Sequence, residues 1–287
     1  MENHTSDIKV SICCITYNHE KYIAKAIEGF LNQKTSFKYE ILIGEDCSTD
    51  NTLAVINDYI KRFPGQIKLI TGDKNIGSIR NLVRVFAEVQ GKYIAFCDGD
   101  DYWTDPLKIQ KQVDFLENNL DYTLCFHYSE VVDSFEKTIY VSQCPKPLSY
   151  TYKDFLIGRR DETRIGTMMV VNSEEVRNIS KNDWYYTTNG TDAIFKLYAT
   201  AVTGGKGFVL PEVMSCYRIH AGGVWSMINS KVKKKKMLSD FKIVINNFKY
   251  SSFQKRELLK IYMKKYFFFE IRNFRLNSVL HTLSTLL

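Results

Sequence analysis

The chain of 287 residues is 45% hydrophobic and 25% charged, with 15 Gly and 5 Pro, a balance that excludes collagen-like, coiled-coil and largely disordered proteins. Its net charge of +7 is uneven: from Lys231 to Leu287, 11 Lys and 3 Arg face only Asp240, Glu257 and Glu270, a net +11 that leaves −4 for the rest. The asymmetry points to a basic tail meeting an anionic surface and away from a nucleic-acid-binding body.

The first half alternates strands and helices. Val10 to Tyr17 is a nearly continuous apolar run, as expected for a strand buried on both faces. Ile23, Ile27, Phe30 and Leu31 follow at helical spacing, and Tyr39 to Ile43 is a second strand. Leu53, Ile56, Ile60 and Phe63 mark a second helix, with Ser48, Thr49 and Asp50 as candidate N-caps. Ile67 to Ile70, a helix through Leu82, Val83 and Phe86, a strand from Tyr93 to Cys97, a helix from Leu107 to Asn118 opened by Asp105-Pro106, and a strand from Leu124 to Tyr128 complete the series. Such an order predicts an α/β fold with a mostly parallel central sheet flanked by helices. Ligands of such sheets bind beyond the carboxyl ends of the strands. The stretch from about 130 to 230 is less regular, with loops at Gly204-Gly205-Lys206-Gly207 and Ala221-Gly222-Gly223.

The strongest chemical signal is Tyr93-Ile94-Ala95-Phe96-Cys97-Asp98-Gly99-Asp100-Asp101, an apolar strand running into three carboxylates. Crowded carboxylates repel one another, and a divalent cation removes the conflict; oxygen ligands suit Mg2+ or Mn2+. A solvated, helix-capping turn is the plainer alternative, although Asp105 already supplies a cap. Glu45-Asp46-Cys47-Ser48-Thr49-Asp50 directly follows the second strand, where an acid can accept from a base N–H or a ribose hydroxyl, or simply cap the next helix. Neither a G-x-G-x-x-G fingerprint after the first strand nor a Walker A sequence is present.

Taken in order, Ile15-Thr16-Tyr17-Asn18, Glu45-Asp46-Cys47-Ser48-Thr49-Asp50 and Asp98-Gly99-Asp100-Asp101 resemble the nucleotide-sugar-binding half of the family 2 glycosyltransferases. Asn189-Gly190-Thr191-Asp192, Gly204-Gly205-Lys206-Gly207 and Tyr217-Arg218-Ile219-His220 resemble the acceptor-side half of bacterial members of the surface-polysaccharide type. The resemblance covers roughly residues 8 to 226. It implies a GT-A fold and an inverting transfer from a nucleoside-diphosphate sugar, UDP-linked in most members, to a glycan or lipid-linked oligosaccharide acceptor, with Mn2+ or Mg2+ as cofactor. On it, Thr16, Tyr17, Asn18, Glu45, Asp46 and Asp98 would bind the nucleotide sugar. Asp98 and Asp100 would hold the metal, and Asp192 would be the catalytic base; apart from the resemblance, the residue types of the 217–226 segment put Arg218 or His220 within reach of the diphosphate and offer His220 as a third metal ligand. Glu45 stands where the family often has Asp, a mild departure.

The segment 217–226, with two glycines and Trp225, suits a lid over the nucleotide or an ordinary surface loop. Asp161, Glu162 and Arg164 face the acceptor or form a plain turn. The expected organisation is a catalytic domain over residues 1–230, with a donor half at 8–129 and an acceptor half at 130–230, followed by a basic helical tail over 231–287. In the tail, Met237, Phe241, Val244 and Phe248 form one helical stripe and Leu258, Tyr262, Tyr266 and Phe269 another, with lysines and arginines between. The stripes suit an anionic membrane surface, a dimer contact or a cap on the body. The membrane reading predicts that a chain ending near Asn229 is more soluble.

The seven cysteines form no C-x-x-C pair, and with the histidines no zinc pattern, which reads as buried thiols in a reducing cytosol. No apolar run reaches the ~18 residues that span a bilayer. The expected location is the cytoplasm, with peripheral attachment at the inner face of the plasma membrane. Two other functions fit part of the pattern: a metal-dependent phosphohydrolase using Asp98 and Asp100, and a non-catalytic nucleotide- or glycan-binding protein of the same fold.

Overall fold

The computed structural model describes residues 7–159, 161–223 and 228–287. In chain order the elements are β1 (Ile8–Thr16), α1 (Ile23–Leu31), β2 (Lys38–Glu45), α2 (Thr52–Arg62), β3 (Ile67–Ile70), α3 (Ser78–Phe86), β4 (Tyr93–Phe96), β5 (Tyr102–Trp103), α4 (Lys108–Asn118) and β6 (Tyr122–Val132). They continue with β7 (Thr138–Tyr140), β8 (Leu148–Tyr150), α5 (Tyr152–Leu156), β9 (Met169–Val171), α6 (Glu174–Arg177), α7 (Thr191–Thr203), β10 (Lys206–Arg218), α8 (Ser230–Asn247), α9 (Ser252–Tyr262), α10 (Phe268–Arg272) and α11 (Leu276–Leu286).

One sheet organises the chain, in the order β3-β2-β1-β4-β9-β6-β10-β5, with β7 beside β6 and β8 beside β10. The first four strands are parallel. Short β9 is inserted antiparallel between β4 and β6, and β5 pairs antiparallel with β10. The sheet is therefore mixed beyond β4, more so than the strand–helix alternation predicts.

Alternation along β1 sorts its side chains between two cores. Val10, Ile12 and Cys14 pack with Ile23 and Ile27 of α1, Ile56 of α2 and Ile109 of α4. Cys13 points the other way, into a core shared with Leu82 and Phe86 of α3 and Phe195 of α7.

That second core also takes in Leu238, Val244 and Ile245 of α8, Leu258 and Tyr262 of α9, and Tyr266. Both tail stripes are thus packed on the body, with Met237 and Phe241 at its edge. Where the membrane reading leaves the stripes free for a lipid surface, the apolar periodicity is used inward. Glu270, fully buried, accepts from Lys242 at 2.6 Å, Tyr262 at 2.5 Å and Ser278 at 2.9 Å, locking the four tail helices together. Among the described residues no helix is long and apolar enough to cross a membrane. The thiols are free; Cys144 is exposed and Cys47 half-buried, so the expectation of uniformly buried cysteines holds for five of the seven.

Candidate active site at the carboxyl ends of β1, β2 and β4

The loops after β1 and β2 are knitted to each other. Asn18 donates its N–H to Ser48 Oγ at 2.9 Å and accepts from Thr49 N–H at 2.8 Å. His19 N–H reaches Thr52 Oγ1 at 2.8 Å, and Glu20 N–H reaches Asp50 Oδ2 at 3.1 Å. Asp50 also accepts from Thr52 N–H at 2.9 Å, so of the three expected caps Asp50 is the one that meets the start of α2. Asn18 and Cys47 both have positive φ, 56° and 60°. Non-glycine residues hold that conformation only where their surroundings impose it. At Cys47, Glu45 does so, accepting from the N–H groups of Cys47 at 3.1 Å and Ser48 at 2.6 Å, and at Asn18 the bonds to Ser48 and Thr49 do.

Glu45 and Asp46, expected at the nucleotide, are therefore turned into the protein. Glu45 is fully buried and also accepts from Thr71 Oγ1 at 3.0 Å. Asp46 is 2% exposed and accepts from the N–H groups of Ile76 at 3.0 Å and Gly77 at 2.8 Å. Both carboxylates hold loop backbone, Glu45 the turn after β2 and Asp46 the segment before α3. Thr16 is buried at the end of β1, while Tyr17 is 40% exposed.

After β4 the chain turns at once, with Asp101 N–H donating to Asp98 C=O at 3.1 Å and Gly99 N–H to Ile15 C=O at 3.0 Å. A Cβ on Gly99 would lie 2.7 Å from Thr16 Oγ1, so only glycine lets the two loops approach this closely. The turn sends the three acids in different directions. Asp101, 3% exposed, accepts from Arg218 N–H at 2.8 Å, and burial pushes its carboxyl well up. Asp98 lines a cavity of 340 Å³ together with Asp192, Ile15, Ser78 and Arg164. Burial, reinforced by the charges of Asp100 and Asp192, pushes the Asp98 carboxyl up to about 8.

Asp100 meets two histidines. Its Oδ2 is 3.0 Å from His220 Nε2 and 3.7 Å from His19 Nε2. One donor atom from each of the three lies within 4.8 Å of the others. Burial works to raise the Asp100 carboxyl, but the His220 hydrogen bond and the charges of both imidazoles outweigh it and hold it low. Burial lowers His19, favouring its neutral, ligating form. His19 Nδ1 is 3.2 Å from Thr16 Oγ1; with Thr16 accepting there, the Nε2 lone pair faces Asp100.

These residues fit a divalent cation. Ligand bonds of about 2.1 Å in an octahedron put neighbouring donors about 3 Å apart; the Asp100–His220 pair already has that spacing, and His19 converges on it from a third segment. Two imidazoles beside one carboxylate suit Mn2+ better than Mg2+. His19 has no ligand role in the sequence reading, because nothing in its local context distinguishes it from a loop histidine. Asp98, expected among the ligands, stands outside the cluster, because the turn at Gly99 separates it from Asp100.

Arg218, expected at the diphosphate, is 4% exposed and braces the acidic loop. Its Nε donates to Asp100 C=O at 2.9 Å, its second terminal nitrogen pairs with Glu136 at 3.2 Å, and its guanidinium lies over Tyr22 and Tyr102. Trp225 of the expected lid lies outside the described residues.

Asp192 sits in the first turn of α7, paired at 3.0 Å with Lys196, whose side chain is buried and also bonds Thr163 C=O at 2.5 Å. The loop before it is held from the tail: Asp240 of α8 accepts from Asn189 N–H at 2.8 Å and Gly190 N–H at 2.6 Å. Asp192, Arg164 and Tyr217 line the 340 Å³ cavity and also a second one of 660 Å³ between the body and the tail. The candidate base thus stands on the wall shared by two cavities, one of which reaches Asp98.

The pattern of the family named Glycosyl transferase family 2 matches residues 11–179. An uncharacterized protein of Mycobacterium tuberculosis is 37% identical over 225 residues, 75% of this chain and 60% of its own length. The chain thus spans well under two thirds of that relative. Among solved structures, S. aureus TarS 1–349 in complex with UDP-GlcNAc aligns with a TM-score of 0.66 at 18% identity, over 97% of this chain and 78% of its own. The mannosyltransferase PcManGT from Pyrobaculum calidifontis, in complex with GDP-Man and Mn2+, aligns with a TM-score of 0.65 at 14% identity, over 98% and 75%. The fold is that of the GT-A glycosyltransferases, with a C-terminal helical tail. A phosphohydrolase built on Asp98 and Asp100 is set aside, and the chain belongs to glycosyltransferase family 2.

Proposed function

We propose that this chain is an inverting glycosyltransferase that moves one sugar from a nucleoside-diphosphate donor, UDP-linked, to a hydroxyl of a glycan or lipid-linked oligosaccharide during cell-surface polysaccharide synthesis. The observation that carries the reading is the position of Asp192 between the two cavities. The donor enters the cleft bounded by Thr16, Tyr17, Asn18 and Asp98, and the acceptor comes from the tail side. UDP-GlcNAc in TarS and GDP-Man in PcManGT support a sugar nucleotide as donor.

His19, Asp100 and His220 would hold the divalent cation, and Asp98 would meet the ribose. Bound there, the cation supplies Lewis-acid stabilisation of the charge that grows on the leaving diphosphate. Asp192 takes the proton of the acceptor hydroxyl as it attacks, and Lys196, itself anchored on Thr163, holds that carboxylate in place. A single base with direct displacement inverts the anomeric carbon. The residues of the chemistry lie before residue 230, and the tail docks on that body and holds the loop before Asp192 through Asp240.

The tail's outer side supports peripheral attachment to an anionic membrane. Phe274 is 93% exposed beside Arg272 and Arg275, with Phe268 and Leu280 also exposed. Aromatic and basic residues together suit such a surface.

Release of nucleoside diphosphate from a panel of UDP- and GDP-sugars, with Mn2+ or with EDTA, tests the reading. Metal-dependent release by the wild type that is lost in Asp192→Asn supports it. Release unaffected by either change overturns it. No release by a well-folded wild type would favour a binding protein of the same fold.

A further inference from the structure

The 340 Å³ cavity that holds Asp98 and Asp192 has a largely apolar lining. Leu82, Met168, Tyr185 and Phe195 reach it from the core shared by α3 and α7. Ile15, Ile79 and Ile165 line it too, packed on the same core but only partly buried. Apolar side chains left half-covered in a concavity gain burial when an apolar group fills it. The volume is at the small end of the about 300–1,000 Å³ usual for ligand pockets, which suits a single sugar rather than an oligosaccharide.

One polar atom in this lining is buried without a hydrogen-bond partner among the described residues, the hydroxyl of Tyr185. Tyr185 is fully buried, and burial, followed by the charge of Asp192, pushes its phenol well up. It is therefore a donor at neutral pH. A buried donor left unpaired is costly, and native proteins rarely keep one without a use. The charged side chains of the lining are Asp98, Arg164 and Asp192; Arg164 pairs with Glu162 and Asp192 with Lys196, each at 3.0 Å. Ser78, Asn189, Thr191 and Tyr217 are at least partly exposed, so water meets them without a ligand.

With Asp98 at the ribose and Asp192 at the acceptor hydroxyl, the sugar to be transferred lies in this cavity. A sugar hydroxyl turned to Ile15, Ile79 and Ile165 would lose its water and gain no partner. A deoxy sugar would suit those side chains but leave the Tyr185 hydroxyl unpaired. An acetamido substituent answers both features, since it carries a methyl group and a carbonyl acceptor together. We infer that the donor is a UDP-linked N-acetylamino sugar, its acetamido methyl packed on Ile15, Ile79 and Ile165 and its carbonyl accepting from the Tyr185 hydroxyl. The inference rests on the donor reading above and adds to it the class of sugar, with Tyr185 as the residue that selects it.

The test is calorimetric titration of the full chain with Mn2+, using UDP, UDP-N-acetylglucosamine, UDP-N-acetylgalactosamine and the parent UDP-glucose and UDP-galactose. At least one N-acetyl compound is expected to bind about tenfold or more tightly than its parent. In Tyr185→Phe most of that preference should disappear. Tyr186→Phe, which removes the neighbouring hydroxyl already bonded to Ser180 C=O at 2.7 Å, should keep the wild-type preference. Because Tyr185→Phe deletes an unpaired buried hydroxyl, its thermal midpoint should not fall. A wild type that binds each pair equally, a preference that survives in Tyr185→Phe, or a lowered midpoint in that variant would overturn the assignment. UDP alone keeps the two readings apart: UDP bound with no gain from the acetamido group removes this inference and leaves the glycosyltransferase, whereas a folded chain that binds none of the UDP compounds removes both.

Discussion

Asp240 and Gly190 meet across the junction of tail and body: the Asp240 carboxylate accepts the Gly190 N–H at 2.6 Å, two residues before Asp192. A residue of the basic tail thereby fixes the start of the helix that presents the candidate base. An acid at that place also suits the positive end of α7.

Replacing Asp240 by Ala removes this bond and those to Asn189, leaving amide N–H groups without partners in a buried place. The expected cost is about 2–4 kcal/mol of stability. Transfer should fall at least tenfold in kcat with a smaller change in donor KM, because Asp240 itself lines the tail-side cavity and not the one that holds Asp98. Asp240→Asn keeps one acceptor oxygen and should recover part of the rate. Urea unfolding and steady-state kinetics of the two variants check this; equal kcat in all three proteins would remove the positioning role.

The metal cluster makes a separate prediction. His19→Ala should weaken Mn2+ binding at least tenfold, and Thr16→Val, which removes the partner of His19 Nδ1, should weaken it about tenfold. Titration of Mn2+ followed by electron paramagnetic resonance measures both. Wild-type affinity in His19→Ala would limit the ligands to Asp100 and His220.

Lys108 offers a test of the core that is independent of function. It is fully buried, its Nζ donates to Gln112 Oε1 at 2.8 Å and lies 3.8 Å from the centre of the Trp103 ring, and burial lowers it to about 7. The neighbouring Cys97 and Cys125 thiols are pushed up and His127 down, each by burial first, so all three are neutral near pH 7. The unfolded chain holds the lysine proton up to about 10.4. Between about 7 and 10.4 the unfolded state binds more protons, so stability rises with pH in that window. Between pH 7.5 and 9.5 the wild type should gain about 2–3 kcal/mol relative to Lys108→Met. Urea unfolding at the two pH values measures the difference, and parallel curves would show that Lys108 stays charged.

Removal of the tail after Asn229 should unfold the body rather than solubilise it. Leu238, Val244, Ile245, Leu258, Tyr262 and Tyr266 are buried in the core they share with α3 and α7. At about 1.5–3 kcal/mol for each fully buried large apolar side chain, their combined loss rivals the 5–15 kcal/mol that typically holds a domain together. Soluble yield and thermal unfolding of the shortened chain decide it; a cooperative transition at the wild-type midpoint would show the tail to be separable.

The elements of residues 8–129 were legible because most strands there are apolar runs and each helix is an amphipathic repeat. Ile67–Ile70 is met residue for residue, and β1 and β2 within a few residues. Two-residue β5 and three-residue β9 were not, since so short a run has no period to read. β6 runs on past Tyr128 to Val132 because Ser129 and Glu130 pair with β10 despite their polarity. Periodicity shows that a tail stripe is apolar; it does not say whether a membrane or the body covers it. Asp98, Asp100 and Asp192 could be singled out from local motifs. The meeting of His19 with Asp100, and of Asp240 with Gly190, joins segments far apart in the chain, and no local pattern encodes either.

The central claim is a nucleotide held through a divalent cation beside Asp100. Its most direct test is calorimetric titration of UDP and GDP into the wild type and into Asp100→Asn, each with Mn2+ and with EDTA. The account predicts binding by the wild type with Mn2+, at least tenfold weaker binding in EDTA, and the same weakness in Asp100→Asn whether or not Mn2+ is present. Nucleotide binding that ignores both EDTA and the substitution, or a folded wild type that binds neither nucleotide, would contradict it.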